Sequence, residues 1–425
     1  MKILVVSNTA WDDENSFGNT FSNIFKGMEG VEIYNVCCRN GKFNNDVVKK
    51  AVQMTDRSVL KSVYKFKYDP CHEMGKDEDL NEDVNIELSE KARKKRRAAS
   101  FFIRDIIWKL GKWKKSKKLN EFLDEIDVDV IYIPTYSSKH LCNVQLYIIN
   151  KLNVPVVAHI SDDDFGKNPY ASIGHKLYKI GLRNKYRRII KKCAYLEVFA
   201  QNMKDEYEKE FQKPCFLIGK GVDTTSLKPI VYNEIQNKQI KFVYTGNLGD
   251  ERYAVLCKIG QELDKFKQRG VLDIYSATLL TEEMTSKFDG CNSINFHGAI
   301  SKKDVDKVQK GADYLIHVEG FSKRAIFSTR MSFSTKIIDY LLSGKPIFAI
   351  GPEEVNSIRV LKNEQIAIVA TNEDDIYTKI EDIFYGKIDG LIIANNVDMY
   401  LKEKRDIKKI QAGIKGRLEE LVNKQ

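Results

Sequence analysis

The chain has 425 residues, 43% hydrophobic and 30% charged, with a net charge of +10. That length exceeds what one hydrophobic core usually supports and predicts two domains, and no apolar run approaches the roughly 18 residues of a membrane-spanning helix. The eight Cys lie in or beside apolar runs without CxxC spacing, and the start "MKILVVSNTAWDDENS" has only a short apolar run; reduced thiols, no disulfide frame, no zinc and a cytoplasmic location are expected.

In chain order, short apolar runs alternate with helical patterns, the signature of parallel sheets covered by helices. Strands are predicted over 2–8, 31–37, 128–134, 154–161 and 195–201 in the first half. In the second half they fall over 240–246, 271–277, 294–298, 312–319, 345–351 and 366–371. The expected fold is α/β, with two doubly wound domains over 1–222 and 223–395 and a polar junction at 223–239. Residues 40–118 break the rhythm and are read as an insertion. The charged end, 396–425, is predicted as a helix packing back on the first domain.

The loop after the first strand, "NTAWDDENSFGNTFSNIFKGM", holds Gly18 just before a helical pattern, with Ser16 and Asn19 beside it. The strand 154–161 ends in "AHISDDDF", which offers His159 with Asp162 or Asp163 for positioning and proton transfer. The competing readings are a packed histidine followed by a helix-capping Asp run and, as a rival chemistry that is not adopted, an Asp162/Asp164 pair holding a divalent metal against a diphosphate.

Between these strands, residues 91–118 hold thirteen Lys or Arg and one Asp, a net of +12 against the chain's +10, so the remainder carries −2. Phe101, Phe102, Ile106, Trp108 and Trp113 interleave with the cations, a composition suited to an anionic bilayer surface. A solvated helix neutralised by the acidic run 77–90 is the competing reading. Nucleic acid is not expected, because phosphate tracking needs the cations but not so much bulky apolar surface.

In the second half, "TGNLGDERY" follows a strand: Gly246 and Gly249 permit a tight turn, and Arg252 brings a planar fork of donors suited to phosphate. His297 and Gly298 end another strand, and Glu319 ends a third. In "FSTKIIDYLLSGKP", 333–346, helical spacing places Ile337, Ile338, Leu341 and Leu342 on one stripe and Lys336, Asp339 and Ser343 opposite. Ser334 or Thr335 caps its start, an end suited to an anion, and Gly344 and Pro346 end it. The same pattern fits an ordinary surface helix. Ligands of open parallel sheets bind beyond the carboxyl ends of the strands, which would gather these residues into a pocket for a diphosphate and hydroxyls.

Residues 201–229, "QNMKDEYEKEFQKPCFLIGKGVDTTSLKP", resemble the segment with which retaining glycosyltransferases of the two-domain GT-B type, family 4, end their first domain. "TGNL", "NFHG", "ADYLIHVEGF" and "STKIIDYLLSGKPIFAIG" then follow in the order that family uses for its nucleotide-sugar domain. The resemblance spans most of 195–351, with weaker similarity at 1–30 and 128–165. It implies two Rossmann-like domains facing across a cleft. It also implies transfer of a sugar from a UDP- or GDP-linked donor to a glycan or lipid-linked acceptor in surface polysaccharide assembly (capsule, exopolysaccharide or O-antigen), with retention and no metal or other cofactor.

By the same resemblance Asp339 binds ribose, Ser334, Thr335 and Lys336 attend the diphosphate, and Gly18, Gly246, Asn247, Arg252, His297, Gly298 and Glu319 complete the donor site. His159 with Asp162 or Asp163 positions the sugar and acceptor. The chain departs from the family where Asp339 replaces a Glu, where Met331 stands eight residues before it, and where Asn247 and Arg252 stand for an Arg and a Lys. A non-catalytic nucleotide-sugar-binding protein is the alternative those departures suggest. A sugar-nucleotide epimerase is a further one, against which "GVDTTSLKP" argues.

Overall fold

The computed structural model describes residues 1–75, 102–225, 227, 232, 239–267 and 269–424. The acidic run 77–90, the basic residues 91–101 and much of the junction 223–239 lie outside the described residues. The chain forms two compact units, one of Met1–Phe199, Met203–Gly221 and Ile407–Gln425, the other of Ala200–Asn202 and Val222–Asp406.

The first unit is built on β1 (Lys2–Ser7), β2 (Glu32–Cys37), β3 (Val48–Met54), β4 (Cys71–Glu73), β5 (Val130–Pro134), β6 (Val156–Ile160), β7 (Tyr195–Val198) and β8 (Cys215–Leu217). They form one sheet in the order β4-β3-β2-β1-β5-β6-β7-β8, parallel apart from the β3/β4 pair. β5, β6 and β7 are buried along their whole length, as near-continuous apolar runs must be when helices cover both faces of a parallel sheet. One face is covered by helix Ser16–Phe25, through Phe17, Phe21, Ile24 and Phe25, and by the C-terminal helix Ile407–Asn423, through Ile414 and Leu418.

The expected insertion at 40–118 is corrected here: β3 and β4 belong to the sheet. β3 reads as polar because Lys49 and Lys50 follow its first residue, and the fold pairs them with Glu32 (2.8 Å) and Glu125 (3.2 Å). β8 has three residues, too few to show a two-residue period.

The second unit contains β9 (Ile240–Thr245), β10 (Gly270–Tyr275), β11 (Ile294–Gly298), β12 (Tyr314–Val318), β13 (Ile347–Ile350) and β14 (Ile368–Ala370). They form a parallel sheet in the order β11-β10-β9-β12-β13-β14. Separate apolar clusters cover its two faces, one around Phe242, Ile274, Ile316 and Phe348, the other around Val243, Leu315, Ile337 and Ala349. Strand order reverses between β9 and β12, the place where doubly wound sheets open a crevice. All eight Cys are free and buried. Among the described residues no helix is long and apolar enough to cross a membrane.

Candidate functional site

Register pairing between β9 and β12 stops at Tyr314↔Phe242 and Leu315↔Val243, so the last residues of both strands are not paired with each other. A cavity of about 120 Å³ opens there, lined by Tyr244 and Thr245 of β9 and Asn247 just after it, by His317 of β12 and Glu319 just after it, and from neighbouring helices by Arg252, Lys336 and Tyr340. Tyr340 pins helix Lys336–Leu342 to the end of β9, its hydroxyl lying 3.0 Å from Thr245 Oγ1. Sequence spacing had put Leu342 on the apolar stripe. The structure buries Tyr340 and leaves Leu342 40% exposed, because the end of β9 offers polar partners that only the Tyr hydroxyl can use.

Arg252 spans the mouth of the strands. Its Nε donates to the Val318 carbonyl (3.2 Å), Nη1 to Asn247 Oδ1 (2.8 Å) and Nη2 to Glu319 Oε2 (2.8 Å). A guanidinium has five N–H groups, so two remain for a ligand. Glu319 is 3% exposed; burial pushes its pKa up, and Arg252 pulls it back down. Beside it His317 Nε2 lies 3.1 Å from Ser357 Oγ and 3.6 Å from Glu319 Oε1. Burial, then the charges of Arg252 and Lys336, lower the His317 pKa to about 3, so it is neutral at pH 7.

Lys336 is a solvent-exposed residue whose Nζ turns in to the Thr245 carbonyl at 3.3 Å. Partial desolvation of the ammonium, then Arg252, lower its pKa, while Asp339 opposes the shift. Gly246 makes room for it: a Cβ there would lie 3.1 Å from Lys336 Nζ and 2.8 Å from the Tyr244 hydroxyl. The turn 247–252 runs through left-handed backbone at Asp250 (φ 50°) and Glu251 (φ 63°), and it packs on Gly320, where a Cβ would lie 2.3 Å from the Asp250 carbonyl oxygen.

Asn247, Arg252, Glu319, Ser334 and Lys336 therefore meet in one cavity. Thr335 is the N-cap residue, but neither it nor Ser334 makes a side-chain capping bond; Thr335 sits in helical backbone, and the first turn is closed by the Ser334 and Thr335 carbonyls. Asp339 is half-buried on the same helix and does not line the cavity. His297 and Gly298 also stand apart from it. His297 is stacked on Tyr275 (centroids 4.5 Å) and held 3.0 Å from Asp273, while Gly298 turns the chain at φ 75°. Met331 is buried, so no carboxylate occupies that position.

In the first unit His159 is 1% exposed, with Nδ1 3.0 Å from the Tyr132 hydroxyl. Burial lowers its pKa to about 3. Asp163 is engaged in closing its loop, accepting from Gly166 N (2.8 Å) and the Tyr207 hydroxyl (2.9 Å). Asp164 accepts from Ser137 and Tyr186 and faces Lys179 at 3.5 Å. Asp162 is the exposed one; desolvation within the loop, then Asp164 and Asp163, push its pKa up. Gly18 is buried and required sterically: a Cβ would lie 2.1 Å from the Asp12 carbonyl oxygen. Ser16 and Asn19 are exposed at the start of the same helix. Among the described residues no group of three or more His, Cys, Asp or Glu is placed to hold a metal.

No protein-family model and no curated protein matches the chain. Solved structures do match it. The apo form of the lipopolysaccharide outer core galactosyltransferase WaaB aligns over 98% of this chain and 100% of its own, at 14% identity and a TM-score of 0.57. The Anabaena protein HepE, in complex with UDP-glucose, aligns over 99% and 100%, at 12% identity and a TM-score of 0.60. An E. coli trehalose-6-phosphate structure bound with UDP-2-fluoro glucose aligns over 98% and 99%, at 10% identity and a TM-score of 0.60. The fold is GT-B.

Within this GT-B chain, sequence reasoning passed over four cavity residues: Tyr244, Thr245, His317 and Tyr340. Three sit inside motifs that were read for other residues, "TGNL", "HVEGF" and "KIIDYLL". The usable signal was position, since a polar residue in the last two places of a central strand of a GT-B domain has only the crevice or a neighbouring helix to bond.

Proposed function

We propose that this GT-B protein transfers a sugar, with retention, from a UDP- or GDP-linked donor to a glycan or lipid-linked acceptor in surface polysaccharide assembly. The observation that carries the reading is the convergence of Arg252, Lys336, Asn247 and Ser334 on one cavity at the β9/β12 reversal. Fixed cations with spare donors there suit the charge that builds on a departing diphosphate. The UDP-sugar ligands of the HepE and E. coli structures support the donor class.

In this reading Arg252 and Lys336 bind the diphosphate, Asp339 accepts from ribose hydroxyls, and His159 and Asp162 position the sugar and acceptor. A metal is not required. The Asp162/Asp164 pair is a poor cation site because Asp164 is already satisfied by Lys179, Ser137 and Tyr186.

The acceptor side operates on an anionic membrane surface in the cytoplasm. A helix over 102–110 supports this, for it turns Phe102, Ile103, Ile106 and Leu110 to solvent as one stripe, whereas a surface helix ordinarily buries its apolar side. Its other side is anchored by Trp108 and Arg104, both bonded to Asp56 at 2.7 Å.

A thermal-shift series with UDP, GDP and ADP derivatives tests the donor assignment, because a ligand that binds the native state raises its apparent stability. A rise with uridine or guanosine diphosphates is expected, and no rise with any of them sinks the reading. Binding without transfer to any acceptor favours the non-catalytic alternative, and activity abolished by chelator and restored by Mn²⁺ overturns the metal-independent mechanism.

A further inference from the structure

The first unit contains a buried hydrogen-bonded chain leading to His159, and the roles above leave its other three members unused. Tyr132 on β5, His159 on β6 and Glu197 on β7 come from three adjacent parallel strands. In register Tyr132 pairs with Val157 and His159 with Glu197, so the three side chains leave the sheet on one face. The C-terminal helix Ile407–Asn423 brings Arg417 to the same place, 220 residues away in sequence, and Arg417 Nη2 donates to Glu197 Oε1 at 3.0 Å. Glu197 is fully buried, and its second oxygen accepts the Tyr132 hydroxyl proton. That hydroxyl lies 3.0 Å from His159 Nδ1.

A tyrosine hydroxyl has one proton. With that proton directed at the Glu197 carboxylate, Tyr132 can only accept from His159. The ring proton then resides on Nδ1, and Nε2 keeps a bare lone pair. Nε2 is buried and has no hydrogen-bond partner among the described residues, and Phe21 and Phe199 wall the ring at centroid distances of 4.7 and 5.2 Å. A histidine serving packing alone gains nothing from an orphaned nitrogen in such surroundings.

We propose that Arg417, Glu197 and Tyr132 are positioning residues that fix His159 as the Nδ1–H tautomer and so present Nε2 as a hydrogen-bond acceptor. The group it accepts from, a hydroxyl of a bound sugar, rests on the glycosyl-transfer reading; the tautomer does not. Burial pushes the Glu197 pKa up, and the Tyr132 hydroxyl and then Arg417 pull it back down; Arg417 sets the direction of the chain by favouring the carboxylate form of Glu197 inside the core. With Glu197 protonated the order reverses: the acid donates to Tyr132, Tyr132 donates to Nδ1, and Nε2 becomes the N–H.

The test is nitrogen NMR of the ligand-free full chain labelled with ¹⁵N-histidine. Among the six His, His159 is assigned by the signals lost in His159→Gln. Expected at pH 7 are a protonated Nδ1 and a bare Nε2 in the wild type. Tyr132→Phe moves the proton wholly or partly to Nε2. Arg417→Met does the same, and Arg417→Lys restores Nδ1–H. A wild-type His159 protonated on Nε2 overturns the proposal, as does an Nδ1–H tautomer unchanged in folded Tyr132→Phe and Arg417→Met. If Tyr132→Phe fails to fold, the wild type and the Arg417 variants decide. A chain with the expected tautomer that binds no sugar nucleotide would sink the transferase reading and leave this one standing.

Discussion

Arg252 and Glu319 form an ion pair of 2.8 Å at the end of β12, with Glu319 almost wholly buried and Arg252 still holding two unused N–H groups. The pair limits as well as supplies the grip on an anion, since the carboxylate partly cancels the cation. Charge-assisted hydrogen bonds are worth about 1.5–3 kcal/mol each. Arg252→Gln is therefore expected to weaken UDP binding by roughly 10-fold or more, whereas Glu319→Gln, though less stable without ligand, should bind UDP more tightly than wild type. Calorimetry on both variants decides, and affinities equal to wild type in both would remove the cavity from the donor site.

Asp339 lies outside the cavity lining but on the helix that supplies Lys336. As a ribose acceptor its loss should cost about 1.5–3 kcal/mol, the scale of a hydrogen bond to a charged group. Asp339→Ala should bind UDP roughly 10- to 150-fold more weakly while binding inorganic diphosphate as before. Unchanged UDP affinity would cancel the ribose assignment.

Gly320 holds the 247–252 turn against the end of β12, and a methyl group there has backbone, not a yielding side chain, 2.3 Å away. Gly320→Ala should lower unfolding free energy by about 1–3 kcal/mol and weaken UDP binding by displacing Arg252. Gly18→Ala, which meets the Asp12 carbonyl at 2.1 Å, should destabilise comparably and leave UDP affinity intact. Denaturant melts that do not change would show that the chain relaxes around these contacts at no cost.

His317 has its pKa lowered to about 3, against an ordinary value near 6.5. As pH falls below about 6.5 the unfolded chain gains a proton that the folded chain refuses. The stability His317 contributes is present above that pH and is lost at about 1.4 kcal/mol per pH unit on descending toward 3. Urea melts from pH 7 to 5 should show a shallower decline for His317→Asn than for wild type, and parallel declines would contradict the assignment.

Ile106 and Leu110 occupy the exposed stripe of the 102–110 helix. The double change Ile106→Glu, Leu110→Glu should abolish co-sedimentation with vesicles rich in anionic lipid while leaving UDP binding unaltered. Wild-type sedimentation that does not depend on lipid charge would defeat the membrane assignment.

Eleven strands were legible in the sequence because nearly all are runs of apolar residues buried on both faces, a pattern that survives without knowledge of neighbours; β11 is the exception, its residues alternating half-buried and exposed. β3 was not, because Lys49 and Lys50 make sense only beside Glu32 and Glu125. The motif residues Asn247, Arg252, Glu319, Ser334 and Lys336 were legible as loop and helix ends that parallel sheets direct toward one edge. Tyr340 was not, since its hydroxyl is explained only by Thr245, 95 positions earlier.

The sequence alone determined that this protein is built from parallel sheets in two lobes, since burial on both faces of a strand leaves its mark in local composition. Tertiary structure alone decided that Arg252 is shared with a buried carboxylate, that Asp163 and Asp164 are engaged in their loop, and that Arg417 reaches Glu197 beside His159. Those facts depend on which distant side chains fill the same desolvated space, and a buried charge or hydroxyl takes its character from the partner it finds there.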